Sequence, residues 1–319
     1  AKVTDSHGNR VPNVTVNFTA NHSALVTVAS AVTDADGLAT TTLTNTVAGN
    51  AIVTATINGH SQNVNTNFTP DSSTATITQS DLRVTHNDAK ADGHDTNTVQ
   101  AKVTDTNGNV VPNAIIRFSA TNGATITRAS VTTNAQGIAS TTLTSRTAGL
   151  SKVTAAINGN RQNVNVTFVA DSSTATITNG SLAVTVNNAK ANGSASNAVQ
   201  AKVTDSNGNM VPNVAVSFAA TNGATLTSIS VTTDSQGIAN TSLTNTKAGI
   251  SKVTATINGH SQSVDTNFVA DSGTATLISG ALTVTVNNAK ANGTDKNTVQ
   301  AKVTDANGNP VSYTHLRAH

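Results

Sequence analysis

The pentapeptide Ala1-Lys2-Val3-Thr4-Asp5 returns at Ala101–Asp105, Ala201–Asp205 and Ala301–Asp305, a period of 100 residues with no insertion or deletion. Such a repeat constrains the fold strongly, because each copy must satisfy the same geometry with nearly the same side chains. Between the second and third copies about two thirds of the positions are identical. The period is too long for a solenoid unit of roughly 20–50 residues, and it matches one small sandwich domain of about 100. Each copy is therefore expected to carry its own core, as beads on a string.

Within a copy the pattern is that of short strands. In Val99-Gln-Ala101-Lys-Val103-Thr, apolar and polar residues alternate with the period of two that a half-buried strand requires. In the next segment Ala114, Ile116, Phe118 and Ala120 share one face, and Ile115, Arg117 and Ser119 the other. Val153, Ala155 and Ile157, then Val164, Val166 and Phe168, continue the scheme. All six phenylalanines, Phe18, Phe68, Phe118, Phe168, Phe218 and Phe268, fall at inward-facing positions and read as core. Asn107-Gly108, Asn122-Gly123, Gln136-Gly137 and Asn158-Gly159 punctuate the strands, and Asn-Gly supplies the positive φ angles of tight hairpins. Roughly eight to ten short strands per copy predict a two-sheet sandwich.

Composition agrees. Thr, Asn, Ala, Val, Ser and Asp dominate, there is no Glu, Met occurs once and Trp is absent. Helix formers other than Ala are thus scarce, while residues suited to a pleated surface abound. The formal charge is +2, with no Lys/Arg run and few aromatics, which speaks against nucleic-acid binding. No apolar stretch approaches the roughly 20 residues of a membrane span, so direct insertion of this segment is not expected. With no cysteine, neither a disulfide nor a catalytic thiol is available, which suits a protein exported unfolded. The chain opens in mid-strand, which suggests that its true N-terminus lies upstream.

The least strand-like stretches are Thr69-Pro70-Asp71, Val169-Ala170-Asp171-Ser172-Ser173 and Val269-Ala270-Asp271. Boundaries near 70, 170 and 270 follow. They give an N-terminally truncated copy (1–70), two complete copies (71–170 and 171–270) and a C-terminally truncated one (271–311). The linkers are short and lack a glycine run, so a stiff, elongated rod is expected.

No constellation for chemistry emerges. Asp34-Ala-Asp36-Gly37 looks like half a calcium loop, but its equivalents Asn134-Ala-Gln136-Gly137 and Asp234-Ser-Gln236-Gly237 lose the second carboxylate, and a capped turn is the reading adopted. Interdomain calcium would need several carboxylates to converge near Asp71, Asp171 or Asp271 and the asparagines Asn187-Asn188 and Asn287-Asn288; too few are available. The histidines His7, His22, His60, His86, His94, His260, His315 and His319 share no register except His60 and His260, so they read as solvated turn residues. There is no Gly-x-Ser-x-Gly elbow, no glycosidase-like carboxylate pair and no phosphate loop. Catalytic, cofactor and metal sites are each expected to be none, and the chain is expected not to be an enzyme.

One ordered set of segments remains. It comprises Asp105-Thr-Asn107-Gly108-Asn109-Val-Val-Pro112-Asn113, Thr132-Thr-Asn-Ala-Gln-Gly137, Leu143-Thr-Ser-Arg-Thr-Ala-Gly149 and Val153-Thr-Ala. It resembles the bacterial immunoglobulin-like domain, group 1, of the intimin/invasin family of inverse autotransporter adhesins. The resemblance covers about residues 1–311 and recurs in every copy. It implies an all-β chain of tandem immunoglobulin-like β-sandwich domains. It also implies an extracellular place at the bacterial surface, anchored by an outer-membrane β-barrel of the same parent chain. A separate tip domain, absent from this sequence, would bind the host-cell receptor. The segment would then be a stalk that projects the tip. Two alternatives stand beside this: repeats that bind host matrix or glycans weakly and multivalently, or accessory domains of a secreted enzyme. Against the first alternative, Arg117 and Arg128 become Ser217 and Ser228 one period later. The alternation stops at Ser312, and residues 312–319 read as a foreign tail, expected to be disordered.

Overall fold

The computed structural model describes residues 1–312. Among these residues there are strands and short 3-10 turns but no α-helix. They group into two units: Ala1–Ala89 with Asp95–Ser145 and Gly149–Phe168, and Lys90–His94 and Arg146–Ala148 with Val169 onward. Apart from Ser312, which is exposed, the tail predicted from sequence lies outside the described residues.

The third copy lies wholly in the second unit. Its strands are β1 (Leu182–Val186), β2 (Ala189–Lys190), β3 (Ser196–Lys202), β4 (Ala215–Ala220), β5 (Thr225–Leu226), β6 (Ser230–Thr232), β7 (Ile238–Thr244), β8 (Gly249–Ile257) and β9 (His260–Val269). One sheet runs β1-β3-β7-β5 and the other β2-β9-β8-β4-β6. Neighbours are antiparallel, except that β2 lies parallel to β9 with Ala189 opposite Phe268. The first edge is shared between the sheets. Strand β1 pairs with β3 through a bulge between Val184 and Val186. Asn188 then takes a φ of 60°, and the chain crosses to the other sheet as β2.

The alternating sequence builds the core directly. In β4, Val216 and Phe218 turn inward while Ala215, Ser217 and Ala219 stay exposed. Val253, Ala255 and Ile257 of β8 and Phe268 of β9 meet Val199, Ala201, Ala239 and Leu243 of the facing sheet in one cluster. Burying each larger aliphatic or aromatic side chain stabilises the copy by about 1.5–3 kcal/mol. Asn258 (φ 47°) and Gly259 (φ 80°) turn β8 into β9, as the Asn-Gly pair predicts. At Gly237 (φ 72°) a Cβ would lie 2.6 Å from the Val203 carbonyl oxygen, so backbone packing itself demands glycine there.

The register is the same from copy to copy: Phe18 pairs with Ala55, Phe118 with Ala155 and Phe218 with Ala255. Five of the six phenylalanines are buried. Phe68 departs from the expectation and is only half-buried. Its strand, His60–Phe68, is the outer strand of its sheet, whereas β9 is covered by β2.

Candidate functional site: the copy junction

The most elaborate polar arrangement centres on Asp205 in the turn Asp205-Ser-Asn207-Gly208-Asn209. Gly208, at φ 85°, donates its N–H to Asp205 O at 3.0 Å and closes the turn. Asp205 Oδ1 accepts the N–H groups of Asn207 and Asn209, each at 2.9 Å. Its Oδ2 accepts Asn209 Nδ2 at 2.9 Å and the N–H of Asp171 at 3.0 Å. One carboxylate therefore ties the turn to the linker that opens the same copy.

Two amides of this turn reach the copy before it, through segments that belong to the same unit. Asn209 Nδ2 donates to Arg146 O at 3.0 Å, and Asn209 Oδ1 accepts the N–H of Ala148 at 2.8 Å. Asn207 Nδ2 donates to Ala91 O at 3.0 Å. Lys90 Nζ meets Asp171 Oδ1 at 2.9 Å, with the Asp171 side chain only 8% exposed.

One period on, the set recurs. Asn307 Nδ2 donates to Ala191 O at 2.9 Å, Asn309 Nδ2 donates to Thr246 O at 2.9 Å, and Asn309 Oδ1 accepts Ala248 N–H at 2.8 Å. Lys190 pairs with Asp271 at 2.9 Å. In the first unit, Asn109 holds Thr46 O at 3.0 Å and Ala48 N–H at 2.8 Å.

The electrostatics follow from the donors. The Ser173 hydroxyl and the Lys90 ammonium hold the Asp171 carboxyl below the usual carboxylate range, against burial, which raises it. Lys190 does the same at Asp271. At Asp105 and Asp305 burial pushes the pKa up, but the amides of Asn109 and Asn309 and several backbone N–H groups outweigh it and leave it lowered.

The carboxylates at the junctions are used as acceptors for protein donors. The structure brings a lysine to Asp171 and to Asp271, while at Asp71 the neighbouring charge is the Asp105 carboxylate. Asn187 and Asn188 bond to Asn267 of their own copy. Among the described residues no group of three or more His, Asp, Cys or Glu is placed to hold a metal ion. The half-calcium loops are capped turns: Asp34 Oδ1 accepts the N–H groups of Asp36 and Leu38, and Asn134 and Asp234 do likewise. His22 reaches the carbonyl of Ala48 at 3.2 Å.

The sequence marked the Asp-x-Asn-Gly-Asn segment as a turn but did not show what its asparagines hold. Asn9, Asn109, Asn209 and Asn309 recur without exception, as does Ala-Lys-Ala at 89–91, 189–191 and 289–291. That shared register was the available signal.

Comparison with known proteins gives a consistent picture. The bacterial Ig-like domain (group 1) matches residues 1–69, 79–169, 179–269 and 279–316. The inverse autotransporter adhesin YeeJ of Escherichia coli (strain K12) is 35% identical over 327 residues, an alignment that covers 97% of this chain and 14% of that adhesin. Invasin, described as a bacterial integrin-binding protein, superposes with a TM-score of 0.52 at 23% identity, over 91% of this chain and 59% of its own. InvD of Yersinia pseudotuberculosis gives a TM-score of 0.56 at 18% identity, over 76% of this chain and 73% of its own. At such identities the two structures speak to the fold: tandem Ig-like sandwiches.

Proposed function

Because the chain belongs to the bacterial Ig-like domain (group 1) family, we propose that it is a stalk segment of a bacterial surface adhesin, a spacer that holds an adhesive domain away from the cell. The observation that carries this reading is the junction. The same asparagine ties recur at each of three successive junctions, one period apart. Load applied along a tandem chain passes through every junction, and a spacer therefore needs each one fastened.

On this reading the folding units run 71–170 and 171–270, flanked by part-copies 1–70 and 271–311. The core cluster from Ala175 to Phe268 supports that division. The chain spans 14% of the adhesin YeeJ. The outer-membrane barrel and the receptor-binding tip would lie elsewhere in the parent protein, which would sit at the cell surface. The repeats would carry no catalytic, cofactor or metal site of their own.

Beads coated with the 319-residue chain and settled on cultured epithelial cells test the reading. A spacer leaves attachment at the level of uncoated beads. Attachment that rises with the density of the chain would make the repeats themselves the binding element and overturn the proposal.

A further inference from the structure

The two sides of a junction contribute groups of different kinds. The following copy supplies side chains that its own turn already fixes: Asp305 accepts the N–H groups of Asn307 and Asn309 at 2.9 and 2.8 Å, and Asn309 Nδ2 at 2.9 Å. The preceding copy supplies the side chains of Lys190 and Asn192 to Asp271 and the backbone of its loops: Ala191 O, Thr246 O and Ala248 N–H.

The bonds within the turn do not involve those loops. At Asp5–Asn9 the same internal bonds are made: His7 N–H and Asn9 N–H reach Asp5 Oδ1, and Asn9 Nδ2 reaches Asp5 Oδ2, all at 2.9 Å. The loops differ among themselves. Lys90–His94 and Arg146–Ala148 group with the unit that contains the third copy. The equivalent of the first, 190–194, is bonded within its own copy: Ala191 N–H to Val269 O at 2.8 Å, Gly193 N–H to Asn245 O at 3.0 Å, and Ser194 and Ala195 N–H to Asn192 Oδ1 at 3.0 and 2.8 Å. No backbone bond of that kind joins Thr246 or Ala248 to its own copy among the described residues.

We infer that each junction is a one-way latch: the Asp-x-Asn-Gly-Asn turn is held by its own bonds, and it orders the loop at 46–48, 146–148 or 246–248 of the copy before it. A copy then gains stability from its C-terminal neighbour and returns little. In a tandem array, neighbour terms of this kind add to the stability intrinsic to each repeat, and here the term is directional. The inference rests on the junction geometry alone, whatever the stalk carries.

Hydrogen exchange on the full 319-residue chain reads this out amide by amide. In Asn109→Ala the amide of Ala48 is expected to exchange about tenfold faster, and in Asn209→Ala that of Ala148, as befits the loss of one or two hydrogen bonds. Strands 115–120 and 215–220 should change less than about twofold. Asn9→Ala should leave all the loops as they were. The reverse arm is Ala148→Pro, which removes the donor from the loop side. There the N–H groups of Asn207 and Asn209, held by Asp205, should keep their protection. An unchanged Ala148 amide in Asn209→Ala would overturn the inference. So would a loss of protection at Asn207 and Asn209 in Ala148→Pro as large as the loss in the loops. Should Asn209→Ala unfold its own copy, strands 215–220 will reveal it, and the Ala148→Pro arm decides.

Discussion

At the scale of the residue, Asp171 shows how a junction carboxylate is held. Asp171 accepts the Ser173 hydroxyl at 2.7 Å and the Lys90 ammonium at 2.9 Å, and both favour its charged form. Its folded pKa lies below that of the unfolded chain, near 3.9. The stability it contributes is therefore fully present above about pH 4 and is lost as the pH falls through the folded value. The thermal midpoint of the chain should be level from pH 7 to about pH 5 and drop below about pH 4. In Asp171→Asn the midpoint at pH 7 should be lower and its acid drop shallower. An identical acid drop in the variant would show that the pair with Lys90 contributes nothing. The sequence showed where this aspartate sits but not its partner. Lys90 lies 81 positions upstream, and only the folded sheet, through the strand Ala89–Lys90, brings it close.

At the scale of the element, most of the architecture was legible. Side chains in a strand alternate with a period of two, so the inward set Ile116 and Phe118, or Val253, Ala255 and Ile257, can be read from the sequence without knowing the partner strands. Positive φ at Asn158 and Gly159 was legible for the same local reason. What escaped was anything set by the neighbour. Phe68 has the right parity, yet its burial depends on a covering strand that no alternation reveals. The copies also differ quietly in satisfaction. Ser251 Oγ, fully buried, is met by Asn245 Nδ2 at 3.3 Å. Ser151 Oγ, equally buried, makes no hydrogen bond, and the first copy has buried Ala51 at that place. Ser151→Ala is accordingly expected to stabilise the second copy by about 1 kcal/mol, seen as a higher urea midpoint with an unchanged slope. A lower midpoint would mean that the hydroxyl is satisfied after all.

At the scale of the whole molecule, the repeat period predicted a recurring register, because near-identical sequences at a fixed spacing impose identical strand pairings. The junction was only half legible. Its turn shows in any one copy, whereas its purpose shows only when the recurrence of Asn109, Asn209 and Asn309 is set beside the loops they hold. A spacer built this way adds reach by adding copies, each with its own core, and needs no new chemistry at a new junction. The most direct test is mechanical. The full chain, tethered at both ends and stretched by single-molecule force spectroscopy, should give separate unfolding peaks for the two complete copies. Each peak should release roughly 330–360 Å of contour, less the folded span, as about 100 extended residues require. A smooth extension without peaks, or one event that releases both copies together, would contradict a stalk of separately folded, load-bearing domains.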